Sequence, residues 1–341
     1  MTTIAVFVNP HARKNRATVG AHADHLQTLL GDHGRVWKTG SLEELGVAVG
    51  EAFEDSAKYY VADGGDGSFN CVLHELRLAL EAWGCDSDDP PPVAPTRAGS
   101  IDFLARKVGI TGTTATILSA LRGCVQGGRE PPVVKVESLR LTGTRLAQDG
   151  TEIRFERLGF ALAAGGVGQR FFAKYDQETP GPEAIMRVVT KAVASRLAGR
   201  LPLAVPRWAR EYGDEVFRPT RARVTIDGQR LPELEHEAIH AGAFPISLGG
   251  VFRVFPLAEE PGILHFQAGR ILPREMIRAL PRLVRGDLAN GKRLVERAGR
   301  EMLVEAMGEE LLEPILDGEP INAVKTLRVA HGPAIPIVCV G

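Results

Sequence analysis

The stretch that decides the fold predicted for this chain is residues 58–80, KYYVADGGDGSFNCVLHELRLAL. It opens with a short apolar run at residues 59–62, passes through a glycine-rich bend at residues 63–68, and continues with helical periodicity. The apolar residues after the bend recur at the three- and four-residue spacing of one helix face: Phe69, Val72, Leu73, Leu76 and Leu80. The pattern predicts a strand, a glycine bend and an amphipathic helix, in that order.

A strand that feeds a helix through glycines directs unpaired backbone N–H groups and the positive end of the helix dipole into one small volume. Such a volume suits a phosphate. Gly-Gly and Asp-Gly also form hairpin turns, but the residues after Gly67 have a helical period and do not alternate. We therefore expect a phosphate-binding bend here.

Bulk properties restrict the class of protein. A chain of 341 residues favours two domains, and 24% charged with 44% hydrophobic residues is typical of a globular protein. The net charge of -1 argues against a general nucleic-acid binder. The 4 cysteines show no CxxC pair, which is typical of reduced thiols in a cytoplasmic protein. The N-terminal run reads as a first strand and not as a signal peptide. No apolar run reaches the length of a transmembrane helix, so we expect any lipid contact to be peripheral.

Strands and helices alternate in the first third of the chain. Strands are predicted at residues 3–8, 35–38, 59–62 and 92–95, and helices at residues 17–30, 42–53, 101–108 and 114–124. Such alternation predicts a parallel sheet covered on both faces, with ligands beyond the carboxyl ends of its strands. Asn9, Thr39 and the glycine bend all lie at that edge, which makes them neighbours. Asn9-Pro10 is also a common turn, and residues 39–41 can cap the next helix.

The bend Gly64-Gly65-Asp66-Gly67-Ser68, with Asn70 after it, resembles the Gly-Gly-Asp-Gly-Thr nucleotide loop of the diacylglycerol kinase-like family. This superfamily also holds sphingosine kinases and, more distantly, NAD kinases. The family has an Asn-Pro after its first strand and a threonine after a later one. Residues 95–110, PTRAGSIDFLARKVGI, are similar to its Gly-Thr-x-Asn-x-x-Ala-Arg block, with matches at Gly99, Ser100, Ala105 and Arg106.

Two departures from the family pattern concern the nucleotide. The family continues Asn-Pro with a small residue and Ser-Gly, whereas this chain has His11, Ala12 and Arg13. Asp102 stands where the family has asparagine, which brings a negative charge towards a nucleotide unless a metal, or Arg97 with Arg106, balances it. Ser100 and Asp102 can also simply cap a helix.

Short alternating segments follow Pro131-Pro132 at residues 133–136, 139–142, 153–157 and 159–164, which predicts an antiparallel sandwich or barrel. Residues 160–172 and 247–266 resemble the lipid-side domain of the family, with Pro261 where bacterial members have a metal-site aspartate. Residues 317–319 resemble its Asp-Gly-Glu motif. Asp317 and Glu319, two apart in extended chain, are expected to point to one side. Residues 301–307 and 311–316 are expected to pair across Gly308. The predicted domains are residues 1–130 and 131–341, with a last segment that can return to the first.

The sequence contains three further patterns. The helix predicted at residues 184–200 is basic and amphipathic, which suits either an anionic bilayer or a solvated face. His236 and His240 belong to an HExxH motif, but glycines and Pro245 follow, and in a strand the two histidines stand about 13 Å apart, too far for one zinc. His22 and His25 are interpreted as surface residues.

The fold class predicted is thus an α/β, Rossmann-like domain plus an antiparallel β-sandwich domain, with the active site in a cleft between them. The resemblance implies an ATP- and Mg²⁺-dependent kinase of a lipid such as a diacylglycerol or a sphingoid base. Asp317 or Glu319 would act as base, and Asp66 would order the loop or bind Mg²⁺. A non-catalytic relative and a kinase of a soluble substrate such as NAD stay open, as does a homodimer. The nucleotide would contact Asn9, Thr39, Gly64, Gly65, Asp66, Gly67, Ser68, Asn70, Gly99 and Ser100.

Overall fold

The computed structural model describes residues 3–16, 19–175, 177–178, 181–198 and 206–341. The chain divides into two compact units, Met1–Val136 with Pro333–Gly341 and Glu137–Gly332. The end of the chain therefore belongs to the first unit.

The helices begin and end at the following residues: α1 (Val19–Leu30), α2 (Leu42–Glu54), α3 (Asp66–Ala82), α4 (Phe103–Lys107), α5 (Thr114–Gln126), α6 (Val167–Tyr175), α7 (Pro182–Ala198), α8 (Arg207–Val216) and α9 (Pro273–Arg285). A turn of 3₁₀ helix occupies Gly31–His33. The predicted starts and ends at residues 17 and 199–200 lie outside the described residues. None of the helices in the described part of the chain is long and apolar enough to cross a bilayer.

The strands in the first half of the chain are β1 (Ile4–Val8), β2 (Gly34–Lys38), β3 (Tyr59–Asp63), β4 (Val93–Pro95), β5 (Val133–Val136), β6 (Leu139–Leu146), β7 (Glu152–Gly159) and β8 (Ala161–Gly166). The next group is β9 (Thr220–Ile226), β10 (Gln229–Arg230), β11 (Glu235–His236), β12 (Ala238–Gly242), β13 (Ile246–Leu248), β14 (Phe252–Val254) and β15 (Leu264–Arg270). The last group is β16 (Arg293–Gly299), β17 (Glu301–Ala306), β18 (Ile315–Leu316), β19 (Glu319–Pro320), β20 (Val324–His331) and β21 (Ile335–Val338).

The described strands of the first unit form a sheet in the order β2-β1-β3-β4-β21-β5. The neighbours from β2 to β21 run parallel, so the carboxyl ends of β1 to β4 share one edge. The parallel α/β architecture predicted from the alternating pattern is confirmed. Because β2 and β3 flank β1, the chain reverses its direction of winding between β1 and β3, where sheets of this kind bind ligands.

The sequence pattern suggested that residues 133–136 begin the second domain, but they belong to the first unit. They form β5, which pairs antiparallel with β21 at the edge of the first sheet, with Val136 opposite Ile335. The apolar end of the chain returns to this sheet and supplies the partner. No local pattern around residue 133 carries that information.

The core of the first unit lies on both faces of β1, all of whose residues are buried. On one face Ile4, Val6 and Val8 pack with apolar residues of α1 and α5. On the other face the ring of Phe7 stacks on Trp37 at 5.5 Å. The apolar face predicted for α3 is buried as expected. The sheet is thus a fixed support for the loops at its carboxyl edge.

The described strands of the second unit form two main antiparallel sheets, β10-β9-β17-β20-β6-β7 and β16-β15-β12-β8-β18-β19. The antiparallel character of this region is confirmed. The expected pairing of residues 301–307 with 311–316 is wrong, since β17 lies between β9 and β20. Residues 315–316 form β18, which pairs with β8 and β19.

The HExxH motif lies in strands, as predicted. His236 belongs to β11 and His240 to β12. The ring of His236 contacts the carbonyl of Ala222 at 3.2 Å, and that of His240 contacts Gln267 Oε1 at 2.7 Å. Across the described ranges, no group of three or more His, Cys, Asp or Glu residues is arranged to hold a metal ion.

Candidate phosphate-binding site

The loops after β1 and β3 are joined by a direct side-chain contact. Asn9 Nδ2 donates to Ser68 Oγ at 2.8 Å, and Asn9 Oδ1 accepts from the His11 N–H at 2.8 Å. The backbone N–H of Asn9 donates to the Asp63 carbonyl at 3.1 Å. The structure therefore brings Asn9 and Ser68 together at the point where the sheet reverses its winding.

Helix α3 begins earlier than predicted. Its N-cap is Gly65, and Asp66, Gly67 and Ser68 form its first turn. The prediction that residues 63–68 form the bend is therefore wrong for residues 66–68, which are helical. Glycine and an acid are well suited to the start of a helix. The first N–H groups of an α-helix have no intrahelical acceptor. Those of α3 thus present donors beside Asn9.

Glycines allow two backbone segments to meet at this place. A Cβ added to Gly99 would lie 2.5 Å from the Cα of Gly65, and one added to Gly64 would lie 2.1 Å from Ser68 Oγ. Real Cβ atoms do not approach other heavy atoms so closely, so side chains are excluded at these positions. Gly65 and Gly99 therefore meet backbone to backbone, and these two residues together with Gly64 and Ser68 are called the glycine cradle below.

Asp66 caps the next helix. Its carboxylate accepts the N–H groups of Phe103 at 3.1 Å and Leu104 at 3.0 Å, at the start of α4. Burial raises the pKa of Asp66 to about 7, with a further rise from Asp102, while the two amide donors oppose it. A carboxyl group that titrates near neutral pH can accept a proton under physiological conditions.

Asp102 contacts the backbone of Gly99. It has a positive φ of 51°, and its carboxylate accepts the N–H of Gly99 at 3.0 Å. The alternative that its side chain caps α4 is wrong, because that cap is supplied by Asp66. Burial raises the pKa of Asp102, while Lys14, Arg97 and Arg106 act to lower it. The two arginines expected to balance its charge act in that direction, but burial outweighs them, since the pKa of Asp102 stays raised.

Asp63, at the end of β3, was not among the predicted site residues. Its carboxylate is fully buried, and the ring of His22 meets Oδ2 at 2.8 Å. Its other partners are Asn15 Nδ2 at 3.1 Å, Thr96 Oγ1 at 2.9 Å and Thr114 Oγ1 at 2.7 Å. Asp63 therefore ties the loop after β1 to α1, α5 and the segment after β4. An acid directly after a buried apolar strand signals such a network, since a buried charge needs partners.

The interpretation of His22 as a surface residue is wrong. Its side chain is 21% exposed and forms the contact with Asp63. That hydrogen bond, opposed in part by burial, raises the pKa of His22. The contact joins residues 41 apart in sequence, so the helical pattern around His22 did not indicate it.

The other predicted nucleotide ligands are Thr39, Asn70 and Ser100, and each lies in a different segment of the chain. Thr39 is buried, and its N–H donates to the Val8 carbonyl at 3.1 Å. Ser41 caps α2 through the Glu44 N–H at 3.1 Å, as the capping alternative proposed. Asn70 is buried in α3, and Ser100 is partly exposed in the segment before α4.

Basic residues stand beside the glycine cradle. Lys14 Nζ donates to the carbonyl of Arg97, next to the glycine segment. Arg16 Nε instead donates to the His11 carbonyl at 2.9 Å, and Arg13 is exposed. Lys14 and Arg97 thus supply positive charge near Gly99. The donors, the glycine cradle and this charge fit an anionic phosphate chain.

In the second unit, Asp317 and Glu319 do not share a side. Asp317 and Gly318 have φ values of 53° and 98°, which makes a two-residue turn between β18 and β19. Asp317 is buried, and its carboxylate accepts the N–H groups of Phe160 at 3.1 Å and Ala161 at 2.8 Å. Glu319 is exposed. The extended conformation assumed from the sequence is wrong, because glycine permits the turn.

Residues 3–131 and the overall fold were compared with known proteins. Residues 3–131 match the family model described as the diacylglycerol kinase catalytic domain. A structure from Bacillus anthracis str. Sterne, called a "putative diacylglycerol kinase", is 14% identical, with a TM-score of 0.63 over 98% of this chain and 96% of its own. Another from that organism, called a diacylglycerol kinase, is 13% identical, with a TM-score of 0.56 over the same shares, 98% and 96%. No curated protein matches the chain. The family resemblance and the fold class are confirmed.

Proposed function

We infer that residues 3–131, which match the family model described as the diacylglycerol kinase catalytic domain, belong to that family, and from that premise we propose that the protein is an ATP-dependent lipid kinase. It would transfer the γ-phosphoryl group to the hydroxyl of a diacylglycerol- or sphingoid-type lipid. The observation that carries the proposal is the meeting of the Asn9–Ser68 pair with the start of α3 and the glycine cradle. We also propose that the protein works in the cytoplasm, in peripheral contact with a membrane.

Phosphoryl transfer depends mainly on positioning and charge neutralisation. The backbone N–H groups of Gly65, Gly67 and Ser68 would hold the phosphates, and Lys14 with Arg97 would add positive charge. The remaining ligands proposed for the nucleotide are Asn9, Thr39, Gly64, Asn70, Gly99 and Ser100. Bound Mg²⁺ would supply charge neutralisation at the phosphate oxygens, which with water are its preferred ligands.

Asp66, Asp317 and Glu319 are the three candidates for the general base. The pKa of Asp66, about 7, suits proton abstraction at neutral pH. The carboxylate of Asp317 accepts backbone N–H groups, as the carboxylate of Asp66 does. Glu319 is exposed and close to bulk water. Asp317 and Glu319 also stay candidates for contacts with the lipid substrate.

A second function is favoured by a specific observation. Asp102 occupies the N–H of Gly99, and both oxygens of Asp66 accept backbone N–H groups of α4. These contacts stabilise the cradle but engage groups that catalysis would use. A relative that binds nucleotide without transferring phosphate would have such an arrangement.

Radiolabelled ATP offered with a panel of lipid hydroxyls tests the proposal. We expect the wild type to label a lipid, and Asp66→Asn to lower turnover by roughly 10²- to 10⁴-fold while ATP binding persists. Asp24→Asn is the matched control, because the Asp24 side chain is 79% exposed and distant in sequence from the cradle. Its activity should equal that of the wild type.

The other outcomes distinguish the alternatives. ATP binding without transfer to any lipid would support the non-catalytic relative. Transfer to NAD would support a kinase of a soluble substrate. If Asp66→Asn is as active as the wild type, Asp66 takes no part in the reaction. If both Ser68→Ala and Asn9→Ala bind ATP as tightly as the wild type does, the proposed nucleotide site is wrong.

A further inference from the structure

Helix α9 exposes apolar side chains on its outer surface. Ile277 is 53% exposed and Val284 47% exposed, and Leu272, which precedes the helix, is 38% exposed. Met276 and Ala279 are buried and form the inner face. At 3.6 residues per turn, positions seven apart return to nearly the same side of a helix. Ile277 and Val284 therefore make one outward row about 10 Å long.

A second row beside the first carries positive charge. Arg278 and Arg285 each follow one of the apolar residues, and both are exposed. Across Pro273–Arg285 the sequence contains four arginines against one glutamate. Glu275 accepts the N–H groups of Leu272 at 3.1 Å and Lys292 at 3.0 Å, so its charge is directed to the helix start. Asp287 contacts Arg285 at 3.0 Å beyond the helix end.

Pro281 lies within α9, between the two apolar positions, and is exposed. Proline has no N–H, so the carbonyl of Ile277 lacks its usual helical donor. Such a carbonyl requires water, which exists among lipid headgroups but not in the hydrocarbon interior. The helix is therefore suited to lie in an interface and not to enter a bilayer core.

The basic residues of α7, a helix whose sequence suits either an anionic bilayer or a solvated face, contact other side chains. Arg196 contacts the buried Glu237 at 3.0 Å, and Arg187 contacts Glu178 at 3.2 Å. Lys191 Nζ lies 4.3 Å from the ring centroid of Tyr212. Of these two helices, α9 is therefore the one whose described arginines at positions 278 and 285 lie exposed beside exposed apolar side chains.

We propose that the outer face of α9 docks on the surface of an anionic lipid bilayer. Exposed Ile277 and Val284 would enter the headgroup boundary, while Arg278 and Arg285 would meet negative lipids. The charge of the arginine row selects this partner over a neutral apolar surface. The proposal rests on the peripheral membrane contact proposed above and names the surface that makes it, while docking itself requires no phosphoryl transfer.

Sedimentation of the full chain with vesicles, in the absence of nucleotide, tests the proposal. The vesicles contain phosphatidylcholine either alone or mixed with phosphatidylserine. We expect binding only to the mixed vesicles, with a decline as salt is added. The pair Ile277→Ser with Val284→Ser should weaken binding about tenfold by removing apolar contact. The pair Arg278→Gln with Arg285→Gln should weaken it at least about tenfold.

Val47→Ser provides a matched control. Val47 is a 61% exposed valine on α2, and it lines a surface groove together with three acids, Glu43, Glu44 and Glu51, against one base, Lys38. Because these acids repel an anionic surface, the control should bind as the wild type does. Absence of wild-type binding to the mixed vesicles would overturn the proposal, as would equal weakening by Val47→Ser. A lipid kinase activity without α9-dependent binding would overturn it while leaving the proposed function intact.

Discussion

Replacement of Asp63 by alanine tests the network beneath the candidate site. The Asp63 carboxylate is fully buried and accepts hydrogen bonds from His22, Asn15, Thr96 and Thr114. Removing one partner of a buried ion pair costs about 3–5 kcal/mol, because the other polar groups stay buried without an acceptor. We expect Asp63→Ala to lower the free energy of unfolding by that amount, which is a large share of a typical domain's stability of about 5–15 kcal/mol.

Asp63→Asn distinguishes hydrogen bonding from charge. Its amide oxygen can still accept from His22 and Asn15, and its NH₂ group can donate to the hydroxyls of Thr96 and Thr114, since hydroxyls also accept. The variant keeps the shape and loses the charge. We therefore expect a smaller cost of about 1–2 kcal/mol.

Urea unfolding followed by tryptophan fluorescence measures both variants, because Trp37 and Trp83 lie in the first unit. Asp24→Ala serves as control, since the Asp24 side chain is 79% exposed and should contribute little. A cost for Asp63→Ala no greater than that of Asp24→Ala would refute the role of Asp63 as the centre of the network. If Asp63→Asn lowered the free energy of unfolding as much as Asp63→Ala does, the hydroxyls of Thr96 and Thr114 would not be accepting from the asparagine NH₂ group as proposed.

Three further outcomes follow from the site. Because the pKa of Asp66 is raised to about 7 from 3.8, its folded form holds a proton that the unfolded form releases. The titration of Asp66 should lower stability by up to about 4 kcal/mol between about pH 4 and pH 8, and the slope seen in pH-dependent urea unfolding should lose that contribution in Asp66→Asn. Gly99→Ala should cost about 1–3 kcal/mol in thermal unfolding, since its Cβ would lie 2.5 Å from a backbone Cα, whereas Gly123→Ala, with open space around it, should not destabilise. Because the pKa of His22 is raised, its contact with Asp63 stabilises the fold below about pH 6.5, and this stabilisation is lost as pH rises through the folded pKa. His22→Gln should therefore lower the free energy of unfolding more at about pH 5.5 than at about pH 8.5 in the same urea measurement. An equal loss at both pH values would contradict the pairing.

Local sequence patterns were enough to predict the elements of the first unit and the glycine bend at its centre. Strands β1 to β4 and helices α2, α3 and α5 lie within a few residues of their predicted bounds. Their signals are local, because apolar periodicity and glycine act over a few residues of chain. Parallel pairing then followed from the alternation of strand and helix, and with it the shared edge that holds Asn9 and Ser68.

Only the tertiary structure decided which polar groups meet. The partner of β5 is β21, almost at the other end of the chain, and Asp66 caps a helix that begins at Phe103. His22 meets Asp63 across a separation of 41 residues. In each case a buried strand edge, amide or carboxylate must find a partner, and burial fixes that need without fixing the partner. The choice depends on which distant groups the packed sheet brings within hydrogen-bonding distance.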